Sequence, residues 1–151
     1  MRKEQKANYP ESARGAAALL VRMVLEDGAY TNIALNQYLR GSRLSDLDRR
    51  LATELVYGTV KASGTLDWYL AQCVSRPLDK VAGDILAILR ISTYQLLYMT
   101  RIPASAAVNE AVKLVRSVSH EGSAKFVNGV LRGLLRKQEA GAFVLPDAEK
   151  Q

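Results

Sequence analysis

Ile85-Leu86-Ala87-Ile88-Leu89-Arg90-Ile91-Ser92-Thr93-Tyr94-Gln95-Leu96-Leu97 is the stretch whose reading decides the architecture. Wound at 3.6 residues per turn, Ile85, Leu86, Ile88, Leu89, Ile91, Leu96 and Leu97 cover almost the whole circumference of a helix. In a soluble chain, a helix that is apolar all round has to be enclosed by other elements, so this segment is read as the buried centre of the fold.

Helices are predicted on both sides of it. Arg76-Pro77 interrupts the chain ahead of the central helix, because the residue before a proline avoids the α region. Ile102-Pro103 ends it and opens a helix running to about Ser119, and Gly122-Ser123 separates that from a last helix ending near Glu139. Toward the amino terminus, Pro10 suits a first helical position, and a helix is expected over 10–26 with Asp27-Gly28 as its stop. Thr31 is read as the cap of a second helix over 32–39, which Gly41-Ser42 ends. Ser45 caps a third, with Asp46 and Asp48 well placed in its first turn, and Ser63-Gly64 breaks the chain after Ala62. A fourth covers 65–74. No stretch alternates with period two, so the expected class is all-α, a compact bundle of about seven helices. The predicted organisation is a basic arm over 1–9, a helical domain over 10–139, and a linker or frayed tail over 140–151.

Composition narrows the function. With 21 Lys plus Arg against 15 Asp plus Glu, the formal charge is +6, which favours a polyanionic partner. The single Cys73 excludes an internal disulfide or a CxxC metal cage and fits a reducing compartment. The longest apolar run, 16–25, carries Arg22 and falls short of the roughly 20 residues a membrane-spanning helix needs. Arg2, Lys3 and Lys6 resemble the start of a signal peptide, but no small-residue cleavage site follows, so a cytoplasmic location is expected.

The basic residues fall into rows. On the last helix Lys125, Asn128, Arg132 and Arg136 recur at i, i+3, i+7 and i+11, one face about 16 Å long at 1.5 Å per residue. That length tracks several phosphates of a nucleic-acid chain. The alternative is a solvated face whose late cations complement the helix dipole. Gly129 and Gly133 flank the row and would let another backbone approach. Asn109, Lys113, Arg116 and His120 form a second row on the preceding helix, which Glu110–Lys113 pairing would equally explain. Arg2, Lys3, Lys6, Arg14 and Arg22 give an amino-terminal basic arm.

Catalytic groups find little support. His120 is the sole histidine, so neither a Ser–His–Asp triad nor a His-based metal site has a spare base. Cys73 reads as a small buried hydrophobe. Trp68, Tyr94 and Tyr98 invite a stacking platform, but their apolar neighbours point to the core. No glycine-rich loop follows a strand. No catalytic residue, metal ligand or cofactor site is expected in this chain.

Three motifs then occur in order: Arg90-Ile91-Ser92-Thr93-Tyr94-Gln95-Leu96, Ile102-Pro103 with Val108-Asn109-Glu110-Ala111-Val112, and Lys125-Phe126-Val127-Asn128-Gly129-Val130-Leu131. Together they resemble the NusB family, with the similarity covering about 12–136. The resemblance implies two small helical subdomains and RNA as ligand, with Arg14 best matching the arginine-rich segment and Lys125, Phe126 and Asn128 matching the late RNA-facing motif. Lys3 and Lys6 match that segment only loosely. Two branches of the family are open. One is the free-standing transcription antitermination factor, which pairs with a ribosomal protein on nascent RNA. The other is the amino-terminal domain of bacterial small-subunit ribosomal RNA cytosine-5 methyltransferases. Glu54-Leu55-Val56-Tyr57-Gly58-Thr59-Val60, Leu66-Asp67-Trp68-Tyr69-Leu70, and Arg132 where the free factor carries an acidic residue, look like the second. That parent enzyme would use S-adenosylmethionine and a cysteine following proline. This chain has neither a cofactor loop nor a Pro-Cys pair, so the resemblance implies a catalytic domain in cis as partner and substrate RNA as cargo. A protein-interaction module without RNA affinity is the third reading.

Overall fold

The computed structural model describes residues 8–143, and its helices are α1 (Ala13–Asp27), α2 (Thr31–Arg40), α3 (Asp46–Lys61), α4 (Ser63–Ala71), α5 (Gly83–Tyr98), α6 (Ala104–Val118) and α7 (Glu121–Ala140). A single 3-10 turn, Leu78–Lys80, lies between α4 and α5. Among the described residues there is no strand, and the all-α bundle of seven helices is as the periodicity predicts.

The apolar stretch becomes α5, which touches α1, α3, α4, α6 and α7 and buries Ile85 to Leu89 and Ile91 among them. Each fully buried leucine or isoleucine contributes about 1.5–3 kcal/mol relative to an exposed one, and Leu20, Leu55, Leu66, Leu70, Ile88, Leu89, Leu131 and Leu134 are all in that state. α1 meets α3 and α5 through Ala16, Ala17 and Ala18, whose small side chains allow close helix approach. α6 and α7 pack on each other and on α5, so α5 joins two layers: α1–α3 on one side, α6–α7 on the other. A bidentate ion pair, Arg90 to Asp67 at 2.9 Å for both contacts, ties α5 to α4.

Several helix ends follow the expected chemistry. Ser45 Oγ accepts the Asp48 N–H at 3.2 Å, and Gly28 closes α1 in the left-handed conformation that glycine adopts without strain. Others differ for a common reason. α1 starts at Ala13 instead of Pro10, because Ser12 supplies a cap by accepting the Gly15 N–H at 3.1 Å, while Pro10 sits in a turn ahead of it. Thr31 is the first residue of α2, and the capping position falls on Tyr30, which makes no side-chain cap. Ser63-Gly64 and Gly122-Ser123 lie inside the first turns of α4 and α7, where the amides lack intrahelical partners and glycine costs least. The breaks are Ala62 and Ser119-His120. α4 ends at Ala71, short of the expected Val74.

Four expectations of burial change. Tyr98 is 51% exposed, because α5 ends there and, among the described residues, no element covers its outer face. Tyr94 is half-buried, its ring lying in a notch at Gly58, where a Cβ would fall 2.1 Å from Tyr94 Cζ. Trp68 and Cys73 are half-buried as well. Trp68 and Tyr69 meet Phe143, whose ring stands edge-on to Tyr69 at 4.8 Å between centroids.

Candidate nucleic-acid interface

The two polar rows face each other. The connection between α6 and α7 is only Ser119-His120, and so short a link makes neighbouring helices antiparallel. Between them runs an open groove of about 450 Å³ whose polar lining is Asn109, Lys113 and Arg116 from α6 with Glu121, Lys125 and Asn128 from α7. Val112 and Ala124 form its apolar floor. Beyond the groove, the α7 row continues through Arg132, whose Nε donates to Asn128 Oδ1 at 2.9 Å, and then exposed Arg136.

The cations are not equally available. Arg116 donates to both Glu121 oxygens, Nε at 2.9 Å and Nη2 at 3.0 Å. Those hydrogen bonds hold the Glu121 carboxyl below the usual carboxylate range, with the charges of Arg116 and Lys125 adding to the effect. Lys113 lies 3.8 Å from Glu110, the pairing anticipated from their spacing, and both side chains are well exposed. An exposed pair of that kind holds its partner weakly, so Lys113 remains free to exchange Glu110 for another anion. Arg22, counted with the basic arm, is spent inside the fold: it pairs with Asp84 at the start of α5 and with Glu26 at 3.2 Å.

Arg14 stands at the edge of this surface. Its Nε donates to Gln95 Oε1 at 2.9 Å, and it lines a smaller cleft of about 240 Å³ with Ser12, Glu110, Lys113 and Ser117. Lys113 borders both the cleft and the groove, so Arg14 and the helical rows belong to one surface. Phe126 does not. It points to a separate cleft with His120 and Ile85, and Arg76 stacks over its ring at 4.6 Å. Gly129 has open space around its α-carbon, and at Gly133 an added Cβ would meet only Arg136 Nη2 at 3.7 Å. Arg2, Lys3 and Lys6 lie outside the described residues.

His120 is exposed, and its Nδ1 accepts the Ser123 N–H at 3.3 Å, capping α7. Sequence reasoning missed that cap, and also missed Glu121 as the acid inside the groove, Arg76 over Phe126 and Gln95 behind Arg14. Each depends on residues brought together by a helix reversal or by packing, and only the serine, threonine, aspartate and asparagine caps carry a sequence signal. Among the described residues, no group of three or more His, Cys, Asp or Glu side chains is placed to hold a metal ion, and no helix is long and apolar enough to cross a membrane.

The seven-helix bundle built round α5 has the fold of NusB structures. Thermotoga maritima NusB superposes with a TM-score of 0.75 at 20% identity, covering 83% of this chain and 89% of that one. A crystal structure of the antitermination factors NusB and NusE in complex with double-stranded RNA gives 0.75 at 22% identity, with 82% and 93% coverage.

The NusB family model matches residues 11–136, and the chain belongs to the NusB family. A probable ribosomal RNA small subunit methyltransferase B of Synechocystis is 42% identical over 139 residues, which is 92% of this chain and 31% of that protein. Its counterpart in Bacillus subtilis is 39% identical over 126 residues, 83% and 28% respectively. The transcription antitermination protein NusB of Shewanella loihica is 33% identical over 103 residues, 68% of this chain and 77% of that one. The chain thus spans under a third of the length of the methyltransferase relatives it matches.

Proposed function

We propose that this chain is the RNA-binding domain of a ribosomal RNA cytosine-5 methyltransferase, gripping small-subunit ribosomal RNA for a catalytic domain carried in cis. The observation that supports this most is the α6–α7 groove, where the two separate rows become a single basic surface lined by Asn109, Lys113, Arg116, Lys125 and Asn128. Cations at this spacing meet phosphates, and the asparagine amides can hydrogen-bond base edges or ribose hydroxyls. Arg14, Arg132 and Arg136 extend the contact on either side, and the arm residues Arg2, Lys3 and Lys6 add charge to it. Phe126 joins only if Arg76 moves off its ring. The greater identity to methyltransferase relatives than to the antitermination protein supports the choice of branch. In that parent, S-adenosylmethionine and the reacting cysteine belong to the other domain. This one supplies binding energy remote from the reacting base.

The test is fluorescence anisotropy of the 151-residue chain with a labelled single-stranded fragment of small-subunit ribosomal RNA. Engagement of about four phosphates gives a slope of log K against log salt near −3, at roughly −0.7 per phosphate. Reversing Arg132 and Arg136 to glutamate weakens binding without lowering thermal stability. Binding that ignores salt, or is untouched by the double reversal, refutes the groove. RNA-independent capture of a ribosomal protein or of the catalytic domain by the same surface is the outcome expected of a protein-interaction module.

A further inference from the structure

Gln95 is the one amide side chain sealed in the interior of the described fold. It is 1% exposed on the central helix, surrounded by residues chosen for apolarity. A buried amide without partners costs several kcal/mol, so what it bonds to is informative. Its Nε2 donates to the Ile91 carbonyl at 3.0 Å, within its own helix. Its Oε1 accepts from Arg14 Nε at 2.9 Å, 81 residues away in sequence. A methionine or leucine would fill the same space with no polar atom to satisfy.

That bond has a directional consequence. A guanidinium is planar and rigid, so holding Nε fixes the plane and sets where the two terminal nitrogens lie. Among the described residues Arg14 has no carboxylate partner, which leaves the Nη1–Nη2 edge open for bidentate contact. Arg14 lies in the first turn of α1, where unpaired backbone amides also favour an anion. The small cleft beside it is bordered by Lys113 and by the hydroxyl-bearing Ser12 and Ser117, with Glu110 on the Lys113 side. A neutral anchor matters here. A carboxylate at position 95 would hold Arg14 equally well and cancel its charge, whereas the amide orients the cation and leaves the charge intact.

We infer that Gln95 is a positioning residue: from inside the core it aims Arg14 so that the cleft between the start of α1 and α6 clamps a single phosphodiester of the bound strand. This rests on the RNA-binding reading above and adds a fixed anchoring point at the edge of the groove. The clamp takes one phosphate by its geometry and reads no base.

The experiment is a double-mutant cycle on the full chain with the labelled ribosomal RNA fragment, using Arg14→Ala, Gln95→Met and both together. Arg14→Ala is expected to weaken binding about tenfold, the scale of one hydrogen-bonded charged contact. It should also make the salt slope shallower by about 0.7. Gln95→Met should give a smaller loss with the same change of slope, and the double variant should match Arg14→Ala alone. Gln95→Glu, which retains the anchor and neutralises the cation, should bind as weakly as Arg14→Ala. Strictly additive losses, or a Gln95→Met loss with an unchanged slope, overturn the positioning role. Should Gln95→Met not fold, Arg14→Lys decides: it retains the charge without the fork, and wild-type affinity there refutes the clamp. If Arg14 variants bind normally while the Arg132/Arg136 reversal weakens binding, the clamp fails and the groove stands. If neither set changes affinity, the RNA reading itself fails.

Discussion

Two glycines in helices, given the same extra methyl, should move stability in opposite directions. At Gly15 an added Cβ would lie 2.1 Å from the Pro10 carbonyl oxygen and 3.0 Å from Ser12 Oγ, with backbone as the closest obstacle. Relief requires the turn at 10–12 to leave α1. Its departure removes the Ser12 cap, 3.1 Å to the Gly15 N–H, worth about 1 kcal/mol. It also strains the Pro10–Ser12 backbone bond at 3.0 Å and the Tyr9–Asp84 hydrogen bond, about 1 kcal/mol each. Against a loss of about 3 kcal/mol stands the roughly 0.5–1 kcal/mol by which alanine exceeds glycine in a helix. The net is about 2 kcal/mol, or a fall in Tm of about 4–8 °C for a chain of this size. At Gly129 an added Cβ meets nothing within 4 Å, so only the propensity gain remains and Tm should rise by about 1–4 °C. Thermal unfolding followed by far-UV circular dichroism measures both variants against the parent. A Gly15→Ala protein melting at or above the parent temperature would refute the close approach of the amino-terminal turn to α1, and with it the wall of the Arg14 cleft.

Two pH dependences follow from the same structure. Burial, followed by the Asp84 carboxylate, pushes the Tyr9 phenol well above its ordinary value near 10, with Arg22 opposing. A raised folded pKa contributes stability that is complete below the ordinary value and erodes as pH climbs past it, so alkaline denaturation curves above about pH 10 should flatten in Tyr9→Phe. An unchanged alkaline limb in that variant would sink the assignment. Glu121 has the opposite sign: hydrogen bonding from Arg116 lowers its pKa, so its contribution is present above the ordinary 4.5 and disappears as pH falls through the lowered value. Glu121→Gln should therefore flatten the acid limb below about pH 4.5, and by releasing Arg116 it should tighten RNA binding at neutral pH; weaker binding would show that Glu121 organises the groove instead of opposing it.

The fold was legible because its decisive signal is local. α5 is enclosed for the reason its composition states, and Ser45 and Gly28 terminate helices by chemistry that one residue carries. The errors share a cause. Gly64 and Gly122 were read as breakers, yet each is the second residue of a helix, where the amide has no intrahelical partner and the usual cost of glycine is small. Tyr98 was assigned to the core from its apolar neighbours, but exposure depends on where α5 ends relative to α3, which no local window contains.

The candidate interface was legible only in halves. Each row alone admits a bland explanation: Lys113 has Glu110, and the late cations of α7 suit its dipole. What sequence periodicity cannot supply is the rotation of α6 against α7, which decides whether the rows face each other or diverge. The two-residue reversal at Ser119-His120, with His120 capping α7, sets that rotation and turns two weak signals into one groove. The same reversal brings Glu121 onto Arg116, so the groove carries its own competing anion. A phosphate must displace that carboxylate to reach Arg116, whereas Arg14 is held by a neutral amide with no carboxylate partner among the described residues. Of the two arginines, Arg14 should therefore be the stronger contributor to affinity. Alanine substitution at each position compares them directly, and a larger loss at Arg116 would reverse the order argued from their partners.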